Sequence, residues 1–315
     1  MMKVLFLDAV HPILSERLTA AGMVCVDGTS HTALEAVSSH GDAAGIVLRS
    51  KIRVDSALLD RLPALRFICR SGAGLENIDV ASAFARGIQV FNSPEGNRDA
   101  VGEHALGMLL SLMNLLREAD ASVKEGQWDR EGHRGTELAQ RTVGILGYGH
   151  MGRAFAEKLT GIGCRILACD PYRDDVDGDH QGKVHQVELA TLKREADVLS
   201  IHCNLTPETK GMVDREFLYG FSKPIVLINT ARGPIVSSSG LLDALQTGHV
   251  VAAALDVFER ETSSFETVAN EGDAVWMRLM SHPRIQVSPH VAGWTEESYV
   301  KLSAVLADKV LSEFG

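Results

Sequence analysis

Short apolar runs recur along the chain, separated by helix-like segments, and this alternation restricts the fold more than any other feature. The runs are KVLFLD (3–8), GIVL (45–48), RFICR (66–70), GIQVF (87–91), TVGILG (142–147), RILACD (165–170), DVLSIH (197–202), PIVLIN (224–229) and VVAAALDV (250–257). Each is short enough for a strand and too continuously apolar for a strand with one wet face. Between them lie amphipathic stretches such as HPILSERLTAAG, AFAEKLTGIG and LLDALQTGH. A β/α alternation of this kind predicts parallel sheets covered by helices on both faces. At 315 residues, the chain is long enough for two such domains.

One segment breaks the rhythm. Residues 99–123, DAVGEHALGMLLSLMNLLREADASV, read as a single long helix, with Asn97 or Asp99 as its cap. Its apolar residues cover more than one stripe, so more than one surface should be buried there. It is either a central core helix or one that also crosses between domains or subunits.

Composition narrows the function classes. Acidic residues outnumber basic ones by 41 to 31, and a net charge of -10 argues against broad nucleic-acid binding. The cysteines Cys25, Cys69, Cys164, Cys169 and Cys203 are scattered and mostly sit in apolar runs, as thiols of a reduced compartment do. No spacing suggests a metal site. The opening MMKVLFLDAV is too short and too quickly polar for a signal peptide, and no apolar run approaches a membrane span. A cytoplasmic protein is expected.

The turn GYGHMG carries Gly147, Gly149 and Gly152 in G-x-G-x-x-G spacing, after an apolar strand and before a helical segment. That context is what a dinucleotide site requires. Gly147 permits the tight turn, Gly149 lets backbone amides approach a pyrophosphate, and Gly152 lets helix and strand pack closely. With Tyr148, His150 and Met151 they form the expected cofactor turn, the pyrophosphate lying on the helix N-terminus. The next strand ends in Asp170, whose carboxylate can accept both adenosine ribose hydroxyls and repels a 2′-phosphate. NAD is therefore expected over NADP, with Arg173 a candidate to soften that preference.

Three polar residues follow later apolar runs: Arg232 after LINTA, Glu261 in ALDVFERE and His290 in VSPHVAGW. Taken singly, each has a plain structural explanation. Beside a nicotinamide they make chemical sense together. Oxidising a secondary alcohol next to a carboxylate needs a base for the hydroxyl proton, and histidine suits that role. A glutamate stabilises the imidazolium and orients the ring. The fork of an arginine matches two carboxylate oxygens at once.

The order and wording of SGAGLENIDV, NSPEGNRDAVGEHALGML, GILGYGHMG, LSIHCNLTPETKGMVD, INTARGPIV, AALDVFERE and SPHVAGWTEES resemble the D-isomer-specific 2-hydroxyacid dehydrogenase family over nearly the whole chain. The resemblance implies an α/β protein of two doubly wound parallel-sheet domains, a Rossmann cofactor domain (98–288) inserted into a flavodoxin-like substrate domain (1–97 and 289–315). The final helix then returns to the N-terminal half, and the long helix after Asn97 serves as hinge and dimer element of a homodimer joined through the cofactor domain. By the same resemblance Arg232 binds the substrate carboxylate and carbonyl oxygen, His290 is the acid/base, and Glu261 supports it. Asp256 lies near the nicotinamide, Thr230 and Ala231 line its pocket, and backbone groups of Ala73 and Gly74 reach the substrate carboxylate.

Two further arginines bear on the substrate. Arg49 in LRSKIRV and Arg70 in FICRSGAGL resemble the phosphate-facing arginines of the family's phosphoglycerate dehydrogenases, with Lys51 a candidate third member of the cluster. The alternative is a pair of solvent-facing arginines. Three features depart from that pattern: Glu76 in place of an aspartate, Thr262 in place of a proline, and the stretch SSFETVANEGDAVWMRLMSHP. A C-terminal serine-sensing domain is not expected. The resulting expectation is NAD-dependent hydride exchange with a D-2-hydroxy acid, led by 3-phosphoglycerate, with glyoxylate or hydroxypyruvate reduction as the alternative. An NADH-sensing corepressor-like scaffold is the alternative of another class.

Overall fold

A computed structural model describes residues 1–261 and 273–315. The described residues form two compact units. The first is Met1–Arg98 with Trp294–Gly315, and the second is Asp99–Glu261 with 273–293.

The first unit holds strands β1 (Lys3–Phe6), β2 (Val24–Asp27), β3 (Gly45–Leu48), β4 (Phe67–Arg70) and β5 (Gln89–Asn92). All pair in parallel in the order β2-β1-β3-β4-β5, the flavodoxin-like order. Both faces are covered. Leu5, Ile46, Leu48 and Ile68 belong to one apolar cluster, while Val4, Val47, Phe67 and Cys69 join Leu306, Ala307 and Val310 in another. The last three come from the C-terminal helix Glu296–Phe314, whose Phe314 ring stacks on Phe67 at 5.0 Å. Thr295 and Ser298 close a capping box at the start of that helix.

The second unit holds β6 (Thr142–Leu146), β7 (Arg165–Cys169), β8 (Val184–Gln186), β9 (Val198–Ile201), β10 (Ile225–Asn229), β11 (Val250–Leu255) and β12 (Ile285–Val287). Their order is β12-β11-β10-β9-β6-β7-β8, again all parallel. The order reverses between β6 and β9, the switch point at which open α/β sheets bind ligands beyond their strand C-termini.

The long helix differs from its expected form in two ways. It begins at Pro94, so Asn97 and Asp99 lie inside it and not ahead of its first turn. Proline suits a first turn, where its missing N–H is not needed. The helix ends at Met113, and a second runs over Leu116–Lys124. Between them Leu115 is left-handed (φ 53°), and the Asn114 side chain donates to the carbonyl of Leu110 at 3.0 Å. Close approach explains Gly96 and Gly102 in it. A Cβ on Gly96 would lie 2.6 Å from the backbone nitrogen of Leu302, and one on Gly102 would lie 3.0 Å from the backbone of Ala154.

The unit boundaries fall at 98/99 and 293/294, against the expected 97/98 and 288/289. Residues 289–293 stay with the second unit because the N–H groups of Val291 and Ala292 bond to Asp256, just past β11. Thr262 and residues 263–272 of the departing stretch lie outside the described residues. The remainder of that stretch forms the helix Ala274–Met280, capped by Asp273. Among the described residues no helix is long and apolar enough to cross a membrane.

Candidate active site

The glycine turn leaves β6 and enters the helix His150–Leu159. Gly147 has φ 89°, and a Cβ there would sit 2.5 Å from the backbone nitrogen of Cys203. A Cβ on Gly152 would lie 2.2 Å from the carbonyl oxygen of Gly147, so helix and turn meet only because both are glycine. Gly149 is the opposite case. Nothing lies within 4 Å of a Cβ there, and this residue caps the helix without a side-chain bond. A pyrophosphate therefore meets open space at that helix end, where the helix dipole favours negative charge. Asp170, following β7, accepts the backbone N–H of Tyr148 at 2.8 Å and of Tyr172 at 3.0 Å. Each of its oxygens keeps a second lone pair for a ribose hydroxyl.

Not every residue of the turn faces outward. The Tyr148 side chain is fully buried, its hydroxyl donating to Asp179 at 3.1 Å, so it has only backbone to offer a cofactor. His150 is exposed and Met151 half-buried at the start of the helix. Thr230 and Ala231, past the end of β10, are buried. The Thr230 hydroxyl has no hydrogen-bond partner among the described residues, as suits a donor that completes a bound group. These residues fit a dinucleotide.

Arg232, Glu261 and His290 follow β10, β11 and β12, which are neighbours at one edge of the sheet. Asn229 shapes the first loop, its side chain accepting from Ala231 N–H and donating to the Arg232 carbonyl, both at 3.1 Å. Gly233 lets that loop pass against the segment leading to Glu261, since a Cβ there would lie 1.8 Å from the carbonyl oxygen of Phe258. The Arg232 guanidinium donates to the Ala231 carbonyl at 2.7 Å. His290 Nδ1 lies 2.7 Å from Glu261 Oε2, with side-chain exposures of 20% and 9%. The other Glu261 oxygen accepts from Phe258 N–H, which fixes the carboxylate on both sides.

Asp256 anchors this arrangement and was not legible in that role. It is fully buried, and its carboxylate accepts from the Ser288 hydroxyl (2.5 Å), Val291 N–H (2.9 Å) and Ala292 N–H (2.8 Å). Its own carbonyl takes His290 N–H at 2.8 Å. His104, from the long helix, reaches Ser288 at 3.0 Å and approaches the Asp256 carboxylate at 3.7 Å. His290 is thereby held in a left-handed conformation, φ 55°, uncommon for a residue other than glycine.

In the first unit, Arg70 ends β4 in register with Leu48 of β3, and Arg49 follows one position further along the neighbouring strand. Their surroundings differ. Arg49 lies over the Trp294 ring at 4.3 Å, a cation–π contact that the sequence did not announce. Arg70 is only 8% exposed and folds onto Gly72, where a Cβ would meet its guanidinium at 1.5 Å. Asn77 donates to the carbonyls of Arg49 and Ile52, both at 2.8 Å, and so ties the GLENID segment beside Glu76 to the Arg49 loop. In the SGAG turn the Ala73 carbonyl accepts from Asn92 at 2.6 Å, and Gly74 is half-buried.

Comparison with known proteins points to one family. Residues 106–292 match the model of the D-isomer specific 2-hydroxyacid dehydrogenase, NAD binding domain. A D-3-phosphoglycerate dehydrogenase of Mycobacterium tuberculosis is 34% identical over 285 residues, 90% of this chain and 51% of that protein. The chain thus spans about half the length of the phosphoglycerate dehydrogenases of this kind that it matches. A hydroxypyruvate reductase of Thermotoga maritima is 32% identical over 270 residues, 86% of this chain and 84% of that protein. The crystal structure of a D-lactate dehydrogenase from Treponema pallidum superposes with a TM-score of 0.83 at 25% identity, covering 99% of this chain and 97% of the other.

Proposed function

The chain belongs to the D-isomer specific 2-hydroxyacid dehydrogenase family, and from that premise we propose that it exchanges a hydride with a D-2-hydroxy acid or the corresponding 2-keto acid. NAD is the cofactor of the domain that residues 106–292 match, and when bound it supplies the hydride acceptor. The observation that carries the reading is the His290–Glu261 pair at 2.7 Å.

In the oxidative direction His290 takes the proton from the substrate hydroxyl while the hydride leaves the same carbon, and a keto acid results. With Nδ1 bonded to Glu261, we take Nε2 as the atom that exchanges the proton. Glu261 stabilises the imidazolium as it forms. Arg232 pairs with the carboxylate and the developing carbonyl oxygen. Thr230, Ala231 and the buried Asp256 support the nicotinamide side, and Ala73 and Gly74 offer backbone groups to the substrate carboxylate. In reduction the same proton returns from His290 to the new alkoxide.

Our lead substrate is 3-phosphoglycerate, converted to 3-phosphohydroxypyruvate, the entry step of serine biosynthesis. The adjacent strand-end positions of Arg49 and Arg70 support it, as does the 34% identity to phosphoglycerate dehydrogenases. A specific observation favours a second reading, an unphosphorylated acid such as hydroxypyruvate or glyoxylate. Arg49 is already stacked on Trp294 and Arg70 is buried. Assaying NADH-linked turnover with 3-phosphoglycerate, D-glycerate, D-lactate and the keto acids separates the two. Preference for the phosphorylated acid that is lost in Arg49→Ala or Arg70→Ala supports the lead. Preference for an unphosphorylated acid retires the phosphate pocket and keeps the mechanism. NADH binding without turnover on any acid moves weight to the scaffold reading. We place the enzyme in the cytoplasm as a homodimer joined through the cofactor domain, a state that light scattering tests directly.

A further inference from the structure

Two arginines, Arg173 after β7 and Arg153 in the helix before it, meet at this end of the sheet, and both are occupied. Arg173 donates to Asp175 through Nε at 2.8 Å and through Nη2 at 2.5 Å, a two-pronged pairing. Arg153, in the first turn of the helix that follows the glycine turn, donates to Asp175 at 3.0 Å and to Asp179 at 2.9 Å. Asp179 also accepts the hydroxyl of buried Tyr148 and the N–H of His180. Tyr148 N–H in turn bonds to Asp170. One connected set of side chains thus joins the ribose-facing carboxylate to both guanidiniums.

The backbone is shaped around this set. His180 and Gln181 are both left-handed, φ 49° and 64°, between Gly178 and Gly182 at φ 86° and 78°. The Arg173 guanidinium, with Arg153 behind it, pulls the Asp175 carboxyl down to about 2, so the pairing is fully charged at any working pH.

We propose that Asp175 is a cofactor-specificity residue: by occupying Arg173 and Arg153 it withholds both guanidiniums from a 2′-phosphate and reinforces the preference for NAD. The inference rests on the dinucleotide reading of the glycine turn. A 2′-phosphate beside Asp170 needs a cation there, and Arg173, whose N–H faces the Asp170 carbonyl, is the residue placed to supply it. Its charge is cancelled by Asp175, and that of Arg153 by Asp175 and Asp179. Discrimination therefore has two layers, repulsion by Asp170 and sequestration by Asp175. Removing the first alone leaves Arg173 and Arg153 still engaged, so the two layers are non-additive.

The test is binding, read by titration calorimetry with NADH and NADPH on the full chain, for wild type, Asp170→Ala, Asp175→Ala, the double variant, and the double variant with Arg173→Gln. Thermal melts report folding, and Asp175, with a side chain 53% exposed, tolerates truncation. Asp170→Ala is expected to lose NADH affinity with little gain for NADPH. The double variant is expected to bind NADPH about tenfold tighter than Asp170→Ala does, and Arg173→Gln to remove that gain. NADPH affinity in the double variant no better than in Asp170→Ala, with wild type still binding NADH, overturns the role of Asp175. A gain that survives Arg173→Gln overturns it as well. Wild type that binds neither nucleotide overturns the dinucleotide reading itself.

Discussion

His290 Nδ1 and Glu261 Oε2 stand 2.7 Å apart, and Glu261 is the more buried of the two. A carboxylate held on its other oxygen by Phe258 N–H cannot swing away, so it fixes both the tautomer and the direction of the imidazole. Glu261→Gln keeps the shape and removes the charge that stabilises the imidazolium. We expect kcat to fall on the order of hundredfold in both directions while NADH affinity stays within about twofold. Steady-state kinetics beside NADH titration would show it, and an unchanged kcat would assign Glu261 a packing role only.

Arg232 offers a fork where a lysine offers a point. Arg232→Gln should lower kcat/KM for every 2-keto acid by about a hundredfold or more, with Arg232→Lys recovering only part of it. An equal loss for the glutamine and lysine variants would speak against bidentate pairing.

Asp256 is fully buried and accepts from two backbone N–H groups and one hydroxyl. Asp256→Ala strands those donors, and a stability loss of about 3 kcal/mol follows from their unmet hydrogen bonds. The same change releases the loop that holds His290 left-handed, so kcat should fall with it. Urea unfolding at matched protein concentration reads the first effect; a loss within error of zero would mean that solvent replaces the carboxylate.

Gly152→Ala places a methyl 2.2 Å from the Gly147 carbonyl oxygen. Helix and turn must part, and NADH affinity should drop about tenfold or more. Gly149→Ala has room for its methyl within the protein, so any affinity it loses reports the cofactor's own approach. Comparable NADH binding by wild type and Gly152→Ala would contradict the close-packed turn.

His202 gives stability a pH dependence. Burial lowers its pKa from 6.5 to about 3, with Nε2 bonded to Ser200 at 2.8 Å. The folded state keeps it neutral, whereas the unfolded chain protonates it below about 6.5. Protons therefore favour the unfolded state in the window between those values. The stabilisation is complete above the upper value and is lost as pH falls towards the lower, at up to about 1.4 kcal/mol per pH unit. His202→Gln should flatten that window. Urea midpoints at about pH 7.5 and about pH 5 check it, and equal slopes in both proteins would remove His202 as the cause.

What could be read from the sequence follows from where each element sits. The interior strands were legible because both their faces are buried, as in GIVL and FICR, where every residue is covered. The strands not foreseen, β2, β8 and β12, all lie at sheet edges. There half-exposure replaces the apolar run with mixed residues such as VCVD, VHQ and IQV. Arg232, Glu261 and His290 were legible because each is a polar residue just past an apolar run. The anchoring role of Asp256 was not, since Ser288, Val291, Ala292 and His104 meet it only after folding. The same holds for Trp294 beneath Arg49. The break at Leu115 left no mark either, because leucine is a strong helix former and its left-handed turn is imposed by context.

The central claim is proton exchange at His290 coupled to hydride transfer. The most direct measurement is keto-acid-dependent NADH oxidation by wild type and His290→Gln, at equal NADH saturation established by titration. The account predicts that wild type turns over and that His290→Gln, folded and still binding NADH, is slowed on the order of a thousandfold. Turnover by His290→Gln at the wild-type rate would contradict it.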